Sequence, residues 1–236
     1  MNLLLLMPDD CPEPGLARLS GRRLKHVQDV HRAKPGDSLR IGLLGGMTGT
    51  GEILSLSRDE LVLSVRLDTP PPDKLPLTLL LSLPRPKMLK RILQTVSAMG
   101  VSRLVLMNSY RVEKSFWDSP WLDQDVMREQ LILGLEQARD TVLPDVVIEP
   151  LFKPFVEDRL PALSRNSRCF VAHPGAEERC PVAMNQPITL AIGPEGGFIP
   201  YEVEKLVEAG FEAVHLGPRI LRVETAVTAL VARLFV

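Results

Sequence analysis

Cysteine is scarce: Cys11, Cys169 and Cys180 are all that 236 residues contain. An odd number with no CxxC pair supports neither a disulfide framework nor a zinc site, and it fits a reducing cytoplasm. The four histidines (His26, His31, His173 and His215) lack ligand spacing, so no metal is expected. An excess of one charge is missing too, since 28 Lys and Arg against 29 Asp and Glu leave a formal net charge of −1. Contact with nucleic acid must then come from a local patch, not from a global field. Long apolar runs are also absent. The opening MNLLLLMPDDC is short, has no preceding positive charge and closes at Pro8-Asp9-Asp10. It reads as a first strand, not a signal peptide, and nothing approaches the length of a membrane span.

Several templates fail outright. Without GxxxxGK[ST] there is no P-loop, and without GxGxxG an ordinary Rossmann oxidoreductase is disfavoured. Without GxSxG a serine hydrolase is weaker still.

What remains falls into two textures. The N-terminal third looks like a small β domain, with strands over 2–7, 39–44, 52–56 and 60–67 and a short basic helix within 18–30. Gly45-Gly46-Met47-Thr48-Gly49 reads as a flexible hairpin connection. The proline run in Thr69-Pro70-Pro71-Pro72-Asp73 marks a boundary and gives domains 1–72 and 73–236. Beyond it strands and helices alternate: strands over 77–83, 103–107, 146–149, 169–172, 189–192 and 213–216; helices over 88–99, 128–139, 201–209 and 223–234. The class is α/β with a mostly parallel sheet. The last helix, with Val223, Ala226, Val227, Leu230, Val231 and Leu234, is too apolar to face solvent.

Three strands end in glycine–proline turns: Ala172-His173-Pro174-Gly175, Gly193-Pro194-Glu195-Gly196-Gly197 and Gly217-Pro218-Arg219-Ile220-Leu221-Arg222. Parallel sheets bind ligands outside the carboxyl ends of their strands. One such turn is ordinary turn chemistry; three favour a shared pocket. Glu195, Glu202 and Glu204 crowd the helix entrance, where they would repel a polyphosphate. The pocket suits an uncharged or partly cationic nucleoside, and S-adenosylmethionine with its sulfonium meets that description.

IGPEGG (192–197) followed by LGPRILRVETAVTAL (216–230) resembles the signature of the RsmE family of the SPOUT superfamily. HVQDVHRAKPGD (26–37), RPKMLKRILQTVSAMGV (85–101) and EQARDTVLP (136–144) extend the resemblance over nearly the whole chain. It implies an S-adenosylmethionine-dependent methyltransferase acting on N3 of a uridine in 16S ribosomal RNA of the small subunit. It also implies a PUA-like RNA-binding β-barrel over 1–72, a SPOUT domain with a deep trefoil knot over 73–236, and a homodimer. Its cofactor pocket carries over to Ala172, His173, Ile192, Gly193, Pro194, Glu195, Gly196, Gly197, Leu216, Gly217, Pro218, Ile220 and Leu221, with Thr225 holding the loop as a cap.

N3 methylation requires loss of the imide proton, so positioning and stabilisation of a uridine anion are the work to be done. Arg222 is the candidate stabiliser; an ion pair with Glu224 or Glu195 is its alternative role. Glu224 either orients Arg222, helps remove the proton, or is a plain helix N-terminal acid. Arg22, Arg23, Lys25, His26 and Arg32 form one candidate RNA-binding set, Arg85, Lys87 and Lys90 a second, and Arg111 and Lys114 a third. Phe116 and Trp117 either stack on an extruded base or pack internally. The competing function is a non-catalytic RNA-binding assembly factor with a vestigial pocket, against which the intact glycine–proline motifs argue.

Overall fold

A computed structural model describes residues 2–235, which form two compact units. The first holds the residues up to Asp73 together with Leu131–Leu143; the second holds Lys74–Gln130 and the residues from Pro144 onward.

In the first unit, β1 (Leu4–Leu6), β2 (Leu16–Leu19), β3 (Ser38–Leu43), β4 (Thr48–Leu56) and β5 (Leu61–Thr69) make an open five-stranded sheet in the order β1-β3-β4-β5-β2. β1 pairs parallel with β3, and the other pairs are antiparallel. The leucine run at the start of the chain is buried on both faces. Leu4 and Leu6 join a core of Leu19, Ile41, Ile53, Leu61 and Leu63, whereas Leu3 and Leu5 pack on Ile132 and Leu135. Each such leucine contributes about 1.5–3 kcal/mol of burial free energy. Ile132 and Leu135 belong to the later part of α3 (Gln124–Ala138), which is why 131–143 counts with this unit.

The helix expected over 18–30 begins later, as α1 (Gly21–His26), and loosens into a wider turn over Val27–His31. Residues 18 and 19 instead end β2, where Ala17 and Leu19 point inward and Arg18 faces out to Glu60 at 3.1 Å. Period-two burial thus overrides the basic helical appearance. The glycine connection is tighter than expected. Its turn closes by Leu44–Met47, and Gly49 already lies in β4, where a Cβ would collide with the Arg66 carbonyl oxygen.

Two arginines expected to touch RNA are engaged inside this unit. Arg22 grips Glu136 with two bonds of 2.8 and 3.0 Å, and Glu136 is buried. Arg23 pairs with both carboxylate oxygens of Asp10 and donates to the Leu5 carbonyl. Arg22→Ala would strand a buried carboxylate. It is expected to lower stability by about 1–3 kcal/mol, less than for a fully buried pair because Arg22 is half-exposed. A lower urea midpoint with unchanged slope checks this.

The second unit is a seven-stranded, wholly parallel sheet of β6 (Leu75–Ser82), β7 (Val101–Met107), β8 (Asp145–Glu149), β9 (Arg168–Ala172), β10 (Glu178–Arg179), β11 (Ile188–Ile192) and β12 (Glu212–His215). Its order is β10-β12-β9-β11-β6-β7-β8. β11, between β9 and β6, is buried along its whole length, as a parallel strand covered on both faces must be. Its one hydroxyl, on Thr189, is hydrogen-bonded to Ser167 at 2.6 Å. α2 (Pro86–Ala98) turns Leu89, Ile92, Leu93 and Val96 inward.

A helical stretch that sequence did not indicate spans α4 (Phe152–Pro154), a wider turn over Phe155–Arg159, and α5 (Leu160–Ser164). Pro154 and Pro161 disguise it; Phe155, Val156 and Leu160 anchor it in the core. α6 (Pro200–Glu208) starts with proline in its first turn. α7 (Val223–Phe235) buries Val223, Val227, Leu230, Val231 and Leu234 within its own unit, against α2 and β11. No described helix is long and apolar enough to cross a membrane.

Candidate active site

The three glycine–proline turns meet because their strands are neighbours in register. Ala172, the last residue of β9, sits opposite Ile192 on β11 and Val214 on β12. The turns beyond them surround a cleft of about 300 Å³. Ala172, His173, Ile192, Gly193, Pro194, Glu195, Gly196, Gly197, Leu216, Gly217, Ile220 and Leu221 all line it. Pro218 is exposed and does not. Neither does Thr225, which is the third residue of α7 and stands past the position where a side chain caps a helix.

His173 and His215 do the same job in two turns: each ring Nδ1 accepts the N–H of the glycine two residues on, at 3.1 and 2.9 Å. Gly193 is fixed by contact, because a Cβ there would lie 2.8 Å from the backbone nitrogen of Phe198. Gly197 takes φ +72, which glycine adopts without strain.

Sequence reasoning missed His215, Phe198, Val223, Ala226 and Leu230 as lining residues. Spacing from a strand end signals the turn but not which side of α7 faces it. Arg111 was expected on RNA; it instead donates to the Gly196 carbonyl and lines this cleft.

The acids at the helix entrance act differently from one another. Glu202 is buried and accepts the N–H groups of Ile199 at 2.9 Å and Tyr110 at 2.6 Å. It fastens the loop and does not repel a ligand. Glu204 is exposed on α6, and only Glu195 borders the cleft, its Oε1 accepting the Arg85 N–H at 3.0 Å.

A second cleft of about 570 Å³ adjoins the first, and the two share Pro194, Glu195, Ile220, Leu221 and Val223. Arg85, Lys87, Met88, Arg222 and Glu224 complete it. Arg222 and Glu224 therefore lie together as expected. No ion pair joins Arg222 to Glu224 or Glu195 among the described residues. Lys90 sits over the Trp121 ring at 5.2 Å.

Of the other candidates, Lys25, Arg32 and Lys114 are exposed. His26 has its Nε2 buried without a hydrogen-bond partner among the described residues. Burial pushes its imidazole pKa down, and positive neighbours including His31 and Arg22 add to the effect. Trp117 is half-buried and donates its indole N–H to Asn108 at 3.1 Å, the internal role of the two considered.

Residues 71–235 match the RNA methyltransferase domain family. The ribosomal RNA small subunit methyltransferase E of Treponema pallidum is 30% identical over an alignment covering 98% of this chain and 90% of that protein. The protein of the same name from Mycobacterium bovis is 27% identical over 96% and 88%. The crystal structure of a ribosomal RNA small subunit methyltransferase E from Neisseria gonorrhoeae bound to S-adenosyl methionine shares the fold. Its TM-score is 0.75 at 23% identity, covering 98% of this chain and 95% of that one. The chain thus belongs to the RNA methyltransferase family, within the ribosomal RNA small subunit methyltransferase E (RsmE) group.

Proposed function

We propose that this protein uses S-adenosylmethionine to methylate N3 of a uridine in 16S ribosomal RNA of the small subunit. The observation that carries the proposal is the pair of adjoining clefts sharing one wall. The first suits an adenosyl group: Ile192, Leu216, Leu221 and Val223 give apolar walls, and the three turns bring bare backbone to its edge. When bound there, the cofactor supplies a methyl group activated on a sulfonium.

The second cleft suits the target nucleotide. Arg85 and Lys87 provide cations for its phosphates, and Arg222 supplies a fork of N–H donors for the oxygen charge that grows as N3 loses its proton. We assign to Glu224, which lines the same cleft, the role of accepting that proton or of orienting Arg222 once the nucleotide is bound.

The first unit, with its half-barrel sheet, fits a PUA-like RNA-binding role, and Lys25 and Arg32 offer exposed charge. The second unit takes the SPOUT knot and the cofactor. Exposed Ile220 and Leu221 supply apolar surface for a homodimer. A cytoplasmic setting, where ribosomal RNA is made, accords with this assignment.

Mass-spectrometric mapping of methyluridines in small-subunit RNA, from cells with and without this protein, tests the proposal. One N3-methyluridine should vanish on deletion and return on complementation. An unchanged map, with S-adenosylmethionine still binding in calorimetry, would leave only the non-catalytic assembly role.

A further inference from the structure

The first unit carries a cleft of about 310 Å³ that methyl transfer does not use. Leu3, Leu4 and Val27, all buried, border its base. Its rim is exposed: Arg40 on β3 and Arg139 after α3 carry the positive charge, and His31, after α1, lies beside them. The sequence places Arg139 far from the other two; the fold brings it to them.

Asp37, Asp140, Glu136 and Asp10 of this unit are engaged by other groups. Asp37 accepts the Lys34 N–H at 2.7 Å, and Asp140 accepts the N–H groups of Thr141 and Val142 at 2.6 and 3.0 Å. Glu136 and Asp10 are occupied by Arg22 and Arg23. The basic residues of the first unit therefore divide into two sets. Arg22 and Arg23 hold the fold together, whereas Arg40 and Arg139 face the cleft with no ion pair among the described residues.

Arg139 adds a second observation. It sits just past the end of α3 with φ +63, a left-handed position where helices usually place glycine. A side chain held there costs stability that glycine would not, and such outliers concentrate where they serve binding or catalysis.

We propose that this cleft is a phosphodiester-binding subsite for the substrate RNA strand. Arg40 and Arg139 take the phosphate oxygens through their planar forks. The volume is near the lower bound of small-ligand sites, as one nucleotide requires. The assignment rests on the protein acting on ribosomal RNA, but not on which atom is methylated.

The test uses the whole chain and a fluorescent single-stranded fragment of 16S RNA, with anisotropy titrations at several potassium chloride concentrations. Arg40→Gln and Arg139→Gly are combined; the glycine removes a guanidinium from a backbone position that suits it, so the melting temperature should not fall. Each lost single-strand phosphate contact removes about 0.7 from the slope of log K against log salt, so the double variant should lose about 1.4 and bind on the order of tenfold more weakly near physiological salt.

S-adenosylmethionine affinity, measured by calorimetry, should be the same in both proteins. Absence of cofactor binding in the wild type would count against the methyltransferase assignment while leaving the salt slope readable. An unchanged slope in the folded double variant overturns the subsite. So does micromolar binding of inorganic phosphate that the variant loses while RNA affinity stays intact, since the cleft would then serve a free anion.

Discussion

Arg222→Ala is expected to slow single-turnover methyl transfer by on the order of 10²–10³-fold, the usual cost of removing one preorganised donor from a site of developing charge. The affinity for S-adenosylmethionine should change by less than about threefold, because an interaction made in the transition state leaves ground-state binding alone. The geometry separates the two effects. Ile220 and Leu221 border both clefts, whereas Arg222 borders only the second and has no ion pair to occupy its guanidinium among the described residues. Arg222→Lys keeps the charge but loses the planar fork, so its rate should fall between those of the wild type and Arg222→Ala. Rapid-quench measurement of methylated RNA, with calorimetry for the cofactor, reads both quantities. Loss of cofactor binding with the chemical step intact would place Arg222 in the wall of the first cleft instead.

Much of the second unit was legible because its signals are local. LTLLLSL and ITLAI are continuous apolar runs, and each is a strand covered on both faces. Glycine and proline within three residues of the ends of β9, β11 and β12 announced the three turns, and register made neighbours of the strand ends. Signals that depend on distant partners stayed hidden. Arg22 and Glu136 are separated by 114 positions, so a structural ion pair looked like one end of a basic RNA-binding face. Glu202 showed its charge in the sequence but not the two N–H groups it serves. The second cleft joins the start of α2 to residues 220–224, an adjacency that no periodicity encodes. The prolines of 152–164 misled in the opposite direction, because proline is tolerated in the first turn of a helix and each short helix here restarts that count.

Glu202→Ala should be the most damaging single change in the second unit. The carboxylate lies in the first turn of α6, where its Oε2 takes the N–H of Ile199 just before the helix and its charge meets the positive end of the helix dipole. Its Oε1 takes the N–H of Tyr110 from the turn after β7. One buried side chain thereby ties the loop containing Gly197 and Phe198 to the turn containing Arg111, and all three of those residues line the first cleft. Alanine leaves two backbone N–H groups without an acceptor. At roughly 1–3 kcal/mol each, the loss is about 2–6 kcal/mol and the melting temperature falls by roughly 4–24 °C. Glu202→Gln retains one acceptor oxygen but turns an NH₂ toward an N–H, so it should recover only part of the difference. Because the cleft wall loses its fastening, cofactor affinity should weaken by on the order of tenfold at a temperature where the variant is still folded, a cost of about 1.4 kcal/mol in preorganisation. A large drop in melting temperature with unchanged affinity would reduce Glu202 to a helix cap. Retention of both would mean that neither bond holds the site together.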